Sequence, residues 1–450
     1  MTTADTAEPA PVDTRTVPFS ELVGVWTKIG FLSFGGPAGQ IAMMNRVLVD
    51  EKRWLSEERY LKALNFAMLL PGPEAQQLAT YSGWLTHGLR GGLTAGVLFV
   101  LPGAIVMLIL SFVYVLFRQA PVIDAVFLGI KAAVLAIVLQ ALIRIASRAL
   151  GSPLKLSFAA AAFLAIFVFQ VPFPLVVIGA GIAGALLLNT GADDEDERDR
   201  ADPQADAPHE SLIGRAIRMV AIFGTLWFAP IVIAALAFGP DHVLVEVGLF
   251  FSQLAVVTFG GAYAVLAYMA QAAVDTYGWM QPREMIDGLG LAETTPGPLI
   301  MVTQFVGFLA GFRAPEPFGP YTMAILAAIM TTWVTFVPCF LWIFLGAPFI
   351  ERIDSRGRIA AALSGVTAAV VGVIANLSLW FALHVVFQTV NRIDAGPIAM
   401  AWPDVTSVSL PAVLLIMGAL GLVFGARAGL FVTILSAAAA GLAVSYLFGL

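Results

Sequence analysis

The sequence predicts an all-α polytopic membrane protein built from two inverted-topology repeats with broken, re-entrant helices. Three observations predict it: the composition, an internal repeat, and the placement of Lys and Arg. Of the 450 residues, 59% are hydrophobic and 12% charged, where a soluble domain is roughly 25% charged. Apolar stretches such as 92–117, 155–189 and 405–425 reach the roughly 20 residues that span a bilayer.

The repeat joins residues 34–73 to 259–298 at a constant offset of 225. Phe34-Gly35-Gly36 recurs as Phe259-Gly260-Gly261, Asp50 as Asp275, Trp54 as Trp279, and Pro71-Gly72-Pro73 as Pro296-Gly297-Pro298. Ala42/Ala267, Met44/Met269, Val49/Val274, Leu64/Leu289 and Ala67/Ala292 match between these anchors without a gap. Such a chain is two copies of one unit.

The elements follow in order. Residues 1–18 are polar and rich in Pro and Thr, which predicts a disordered cytoplasmic tail rather than a signal peptide. The first repeat covers 19–190. Within it 20–53 and 56–88 read as helical hairpins, because Gly and Pro interrupt each apolar segment. Spans follow at 92–117, 122–146, 155–170 and 172–189. The acidic run from Asp193 to Arg200 makes 191–211 a cytoplasmic linker too charged to bury. A lone connecting helix at 212–240 comes next, and the second repeat covers 241–450. Its hairpins fall at 247–273 and 283–312, and its spans at 321–346, 359–388, 405–425 and 428–449. That is about nine full spans plus four hairpins. The unpaired helix turns the second copy over relative to the first.

Charge placement tests this arrangement. With re-entrant hairpins, eighteen Lys and Arg fall on the cytoplasmic side against four outside: Arg118, Arg283, Arg313 and Arg392. If the hairpins cross instead, giving about 13 spans, Arg46, Lys52, Arg53, Arg59 and Lys62 move out and Arg283 moves in. The count becomes fourteen against eight, so the positive-inside rule favours re-entry.

Several chemistries are excluded. The single Cys339 rules out an internal disulfide and a Cys-based zinc site. His87, His209, His242 and His384 are scattered, with no HExxH spacing. No catalytic constellation lies in the spans, so the chain does not read as an enzyme, and no cofactor is expected. The net charge of −6 comes largely from the linker, and no basic patch interleaved with aromatics signals nucleic acid.

The candidate binding residues are the breaks themselves. A helix starting after Pro-Gly-Pro inside the membrane leaves N–H groups free and turns a positive dipole end on its surroundings, which suits an anion. Phe34, Gly35, Gly36, Pro71, Gly72 and Pro73, with Phe259, Gly260, Gly261, Pro296, Gly297 and Pro298, form the candidate site. A packing kink explains one such loop; two at equal spacing suggest a carrier, with a channel as the alternative. Lys131, in an apolar helix, offers a counter-charge for the anion or pairs with a carboxylate. At offset 236 its counterpart is Thr367, a hydroxyl donor, and Gln140 matches Asn376. Lys28, Glu74 and Glu293 are candidates for gating or proton coupling. Glu74 also complements a helix start, with Lys28 as a candidate partner. Gln76, Gln77 and Gln304 follow the breaks and offer hydrogen bonds to oxygen.

Ser33-Phe34-Gly35-Gly36, Leu70-Pro71-Gly72-Pro73-Glu74, Gly129-Ile130-Lys131 and Glu293-Thr294-Thr295-Pro296-Gly297-Pro298 together resemble the chromate ion transporter family. The resemblance covers roughly residues 20–450 apart from the linker, and matches the long-chain members that fuse two homologous halves. It implies a multi-pass protein of the inner cell membrane that exports chromate from the cytoplasm and confers chromate resistance. Sulfate, an isosteric dianion, is the alternative substrate. Besides the lipid bilayer the sequence names no partner, and it leaves homo-oligomerisation open.

Overall fold

Each predicted break interrupts a helix. The structure, a computed structural model, describes residues 17–118, 120–188, 209–259, 262–347, 357–396 and 398–448. The tail before residue 17, most of the acidic linker, Gly260 and Gly261 lie outside the described residues.

The first copy opens with α1 (Phe19–Leu32), stops at Ser33, and restarts as α2 (Gly36–Asn45), which runs into a π-turn at Arg46–Glu51. Helix α3 (Glu57–Leu69) starts on Ser56, whose side chain accepts from the Arg59 N–H, with Glu57 and Glu58 complementing the helix dipole. After Pro71-Gly72-Pro73 comes α4 (Glu74–Phe117), which has non-helical angles at His87 and Gly88. A Cβ on Gly83 would stand 2.3 Å from the Gly91 carbonyl oxygen, whereas eight residues of straight helix span about 12 Å. So α4 is two limbs folded back on each other at the predicted end of the 56–88 hairpin. Then come α5 (Pro121–Ala149), α6 (Pro153–Phe167), α7 (Phe173–Leu187) and the connecting α8 (His209–Phe238).

The second copy repeats the succession. Helix α9 (Val243–Val257) precedes the break, and α10 (Ala262–Gln271) leads into a π-turn at Ala272–Thr276. Helix α11 (Pro282–Thr294) opens on a Gln281/Glu284 capping box. A 3₁₀ turn (Leu299–Met301), α12 (Val302–Arg313), α13 (Pro320–Gly346) and α14 (Arg358–Val386) follow. The chain ends in α15 (Leu410–Leu420), with a π-turn at Gly421–Gly425, and α16 (Leu430–Phe448). At offset 225 the bounds of α3 map onto those of α11 without remainder.

The long helices exchange partners between copies. Helix α5 packs on α15 and α16 of the second copy, and α14 packs on α6 and α7 of the first. Small residues make the contacts: Gly129 faces Ala437 and Gly441, and Gly365 faces Ala180 and Gly184. The outer faces expose large apolar side chains such as Leu186, Ile233, Leu236 and Leu435, more than a water-facing surface carries.

Among the described residues six helices are long and apolar enough to cross a membrane: α4, α5, α8, α13, α14 and α16. Helices occupy all nine predicted spans, but α6 and α7 have 15 residues each, about 22 Å against a hydrocarbon core of about 30 Å. Just past α6 lies an unpredicted β-hairpin, β1 (Val390–Ala395) with β2 (Ile398–Pro403). Its Ala399 N–H donates to the Val168 carbonyl just past α6, at 2.9 Å.

Candidate functional site

The two breaks meet through a pair of equivalent hydrogen bonds. The Gly72 N–H donates to the Thr258 carbonyl at 2.8 Å, and the Gly297 N–H donates to the Ser33 carbonyl at 2.8 Å. Gly72 and Gly297 occupy one repeat position, Ser33 and Thr258 another. Each copy's Pro-Gly-Pro loop therefore binds the other copy's first break, the reciprocity of a two-fold contact. Gly72 at φ +117 and Gly297 at φ +86 hold conformations open to glycine and strained for other residues.

Side chains complete one of these crossings more than the other. At the Ser33–Gly297 crossing, buried Gln40 donates through Nε2 to the Gly297 carbonyl and lies 3.5 Å from that of Ser33. The Tyr263 hydroxyl donates to the Glu293 carboxylate at 2.9 Å, and a Cβ on Gly36 would lie 3.8 Å from that hydroxyl. Phe34 packs edge-on against Phe431. At the other crossing Gln77 donates to the Pro71 carbonyl at 2.7 Å. The repeat counterparts of Gln40, Tyr263 and Glu293 are Val265, Ala38 and Met68, so these three polar groups belong to one crossing only. Buried Gln76 bonds to Thr80, and Gln304 to the Ala104 carbonyl. Pro73 and Pro298 precede the helical turns at Glu74 and Leu299, whose first N–H groups have no intrahelical acceptor. Phe259 is half-buried at the second break.

Lys131 lies elsewhere, in a cavity of about 1080 Å³ that also holds Tyr114, Arg118, Arg283, Glu284, Asp287 and Arg313. Its Nζ stands 3.0 Å from the Asp287 carboxylate, with side chains 16% and 8% exposed. The Tyr114 hydroxyl donates to the other Asp287 oxygen at 2.9 Å. Buried Glu284 takes both Arg118 and Arg313, the latter at 2.8 and 2.7 Å. Arg283 has no ion pair among the described residues. Asp287 lies on α11 seven residues before its last residue, Thr294, about 10 Å along the helix, so the cavity adjoins the helix that leads into the second Pro-Gly-Pro loop.

Two predicted residues, Thr367 and Lys28, stand apart from both places. Thr367 donates its hydroxyl to the Leu363 carbonyl of its own helix at 2.8 Å. Lys28 is exposed and faces Glu51 at 3.8 Å, so it does not partner Glu74, which has no ion pair among the described residues. Residues that sequence reasoning passed over include Gln40, Tyr263, Tyr114, Glu284 and Asp287. One signal would have found the last two: at offset 225 they replace Arg59 and Lys62, so charge inverts where the copies should agree. Among the described residues no cluster of His, Cys, Asp and Glu could hold a metal.

A family model described as chromate transporter matches residues 20–185 and 245–442. The chain belongs to the chromate transporter family. The match covers both copies of the repeat and passes over the linker and α8. Among related proteins, a chromate transport protein of Pseudomonas aeruginosa is 33% identical over 79% of each chain. A probable chromate transport protein of Synechococcus elongatus is 29% identical over 79% of this chain and 82% of its own. A chromate transport protein of Cupriavidus metallidurans is 29% identical over 82% and 84%. No solved structure matches the chain.

Proposed function

We propose that this multi-pass protein is an inner-membrane carrier that exports chromate from the cytoplasm through the two crossed breaks. The observation that carries the reading is the reciprocal pair of hydrogen bonds, Gly72 to Thr258 and Gly297 to Ser33. Crossed broken helices of two copies are the arrangement in which carriers bind substrate at the midplane. Membership of the family and the names of its relatives support chromate as the anion.

Contacts at the hairpin ends support the re-entrant, inverted topology. His242 Nε2 lies 3.3 Å from the Glu316 carbonyl, Arg313 donates to the Trp279 carbonyl, and Arg118 and Arg313 share Glu284. The second-copy hairpins thus begin and finish at the end where α4 finishes. In the first copy Lys52 meets Glu21 at 2.8 Å and the Phe19 ring meets His87 at 5.4 Å, at the other end of the second limb of α4. That limb is about 45 Å long. The crossing alternative needs Arg283 on the opposite side from Arg118 and Arg313, yet all three line one cavity.

Export needs no second ion. One charge crossing ~100 mV is worth ~2.3 kcal/mol. A dianion leaving a negative-inside cell gains about twice that, enough for a gradient of roughly 10³. The membrane potential alone drives the step in this reading.

The test is chromate accumulation in sensitive cells expressing the chain, with sulfate as competitor. Expression should lower accumulation and confer resistance. The Gly72→Ala/Gly297→Ala double variant should lose the effect, because both positions have left-handed φ and a Cβ at Gly72 would press to 2.8 Å from Cys339 Sγ. Unchanged or raised accumulation in cells with the wild-type chain would overturn export of chromate; strong competition by sulfate would name sulfate as the cargo.

A further inference from the structure

At the Lys131–Asp287 pair the two copies differ in charge. Asp287 replaces Lys62, which lies exposed and pairs with Glu58 at 2.7 Å, and Lys131 replaces Thr367. The first copy has no acid at the position of Asp287, and the second copy has no base at the position of Lys131. The pair sits in the wall of the cavity of about 1080 Å³, where Glu284 already occupies Arg118 and Arg313. The two cations not engaged by Glu284 are Lys131, which Asp287 holds, and Arg283. An oxyanion entering this cavity meets Lys131 only by displacing a carboxylate.

We propose that Asp287 is an intramolecular stand-in for the substrate. In the empty carrier its carboxylate occupies Lys131, so the cavity reorients without an uncompensated ammonium. In the loaded carrier the tetrahedral dianion takes Lys131 and Arg283, the two cations of the cavity that Glu284 does not hold. Asp287 then keeps the hydrogen bond from Tyr114. The device favours net efflux over exchange, since it serves only the return of the empty site. The inference rests on the carrier reading above and adds how the empty carrier resets.

The two modes separate in proteoliposomes. Radiolabelled chromate inside can leave into anion-free buffer (net efflux) or against external unlabelled chromate (exchange). Asp287→Asn is expected to retain exchange within about twofold and to lose net efflux by about 100-fold, the cost of moving a bare ammonium. Asp287→Glu should restore both modes. Tyr114→Phe, which loosens the stand-in without removing its charge, should lower the KM for chromate and slow net efflux; it also keeps the inference testable if Asp287→Asn does not insert. Both modes falling together in Asp287→Asn, both staying intact, or an unchanged KM in Tyr114→Phe would overturn the inference while leaving transport standing. Wild-type protein that moves chromate in neither mode would sink the carrier reading, and this inference with it.

Discussion

Lys131→Ala is expected to abolish chromate transport and to lower the melting temperature of the purified protein. The substitution leaves the Asp287 carboxylate, 8% exposed, with the Tyr114 hydroxyl as its one close polar partner among the described residues. Removing one member of a buried ion pair costs about 3–5 kcal/mol, because the other charge stays desolvated. A second substitution divides the two effects. Lys131→Ala/Asp287→Asn removes the orphaned charge and should recover most of the stability. Transport should stay lost, since the cavity then lacks its buried cation. Thermal unfolding followed by size exclusion in detergent reads the first effect, and chromate accumulation reads the second. A single Lys131→Ala variant that folds and transports like the wild type would take Lys131 out of the pathway.

That pair also marks the limit of what the sequence discloses. The breaks at Phe34-Gly35-Gly36 and Pro71-Gly72-Pro73 are legible because Gly and Pro act on the backbone where they stand, and the repeat doubles the signal. Even the fold-back of α4 at His87 and Gly88 falls where the 56–88 hairpin is expected to end. Partners are another matter. Lys131 and Asp287 are 156 residues apart, and no local pattern joins a lysine on α5 to an acid on α11. The repeat held indirect information: positions 59 and 62 are basic where 284 and 287 are acidic. Divergence at a matched position is a stronger pointer to a one-sided site than the matches themselves. Gln40, Tyr263 and Glu293 follow the same rule, each opposite an apolar residue in the other copy. The β-hairpin escaped for a different reason. Its strands are six residues each and turn at Gly396, which has φ +63. Such short strands between two apolar helices read as a loop, and they form because the end of α6 offers the Val168 carbonyl to the sheet.

Gly129→Ala should be the most destabilising of the single-methyl changes, although helix propensity predicts the reverse. In an isolated helix Gly→Ala gains about 0.8–1.0 kcal/mol. A Cβ on Gly129, however, would lie 1.8 Å from the Ala437 carbonyl oxygen, and its contact partner Gly441 would meet the Ala125 carbonyl oxygen at 2.3 Å. The obstructing atoms are backbone, so no side-chain rotation relieves them, and α5 must part from α16. Overpacking of this kind costs typically 1–3 kcal/mol, which outweighs the propensity gain. Gly179→Ala on α7 is the matched control: nothing lies within 4 Å of its Cβ, so it should keep or raise the melting temperature. Function should follow the same order. Lys131 is two residues beyond Gly129 on α5, and displacing that turn draws its ammonium away from Asp287. Gly129→Ala should therefore lose transport even where folded protein is recovered at low temperature. Equal melting temperatures for the Gly129 and Gly179 variants would show that the α5–α16 contact carries no stability, and that the exchanged helices do not fix the Lys131 site.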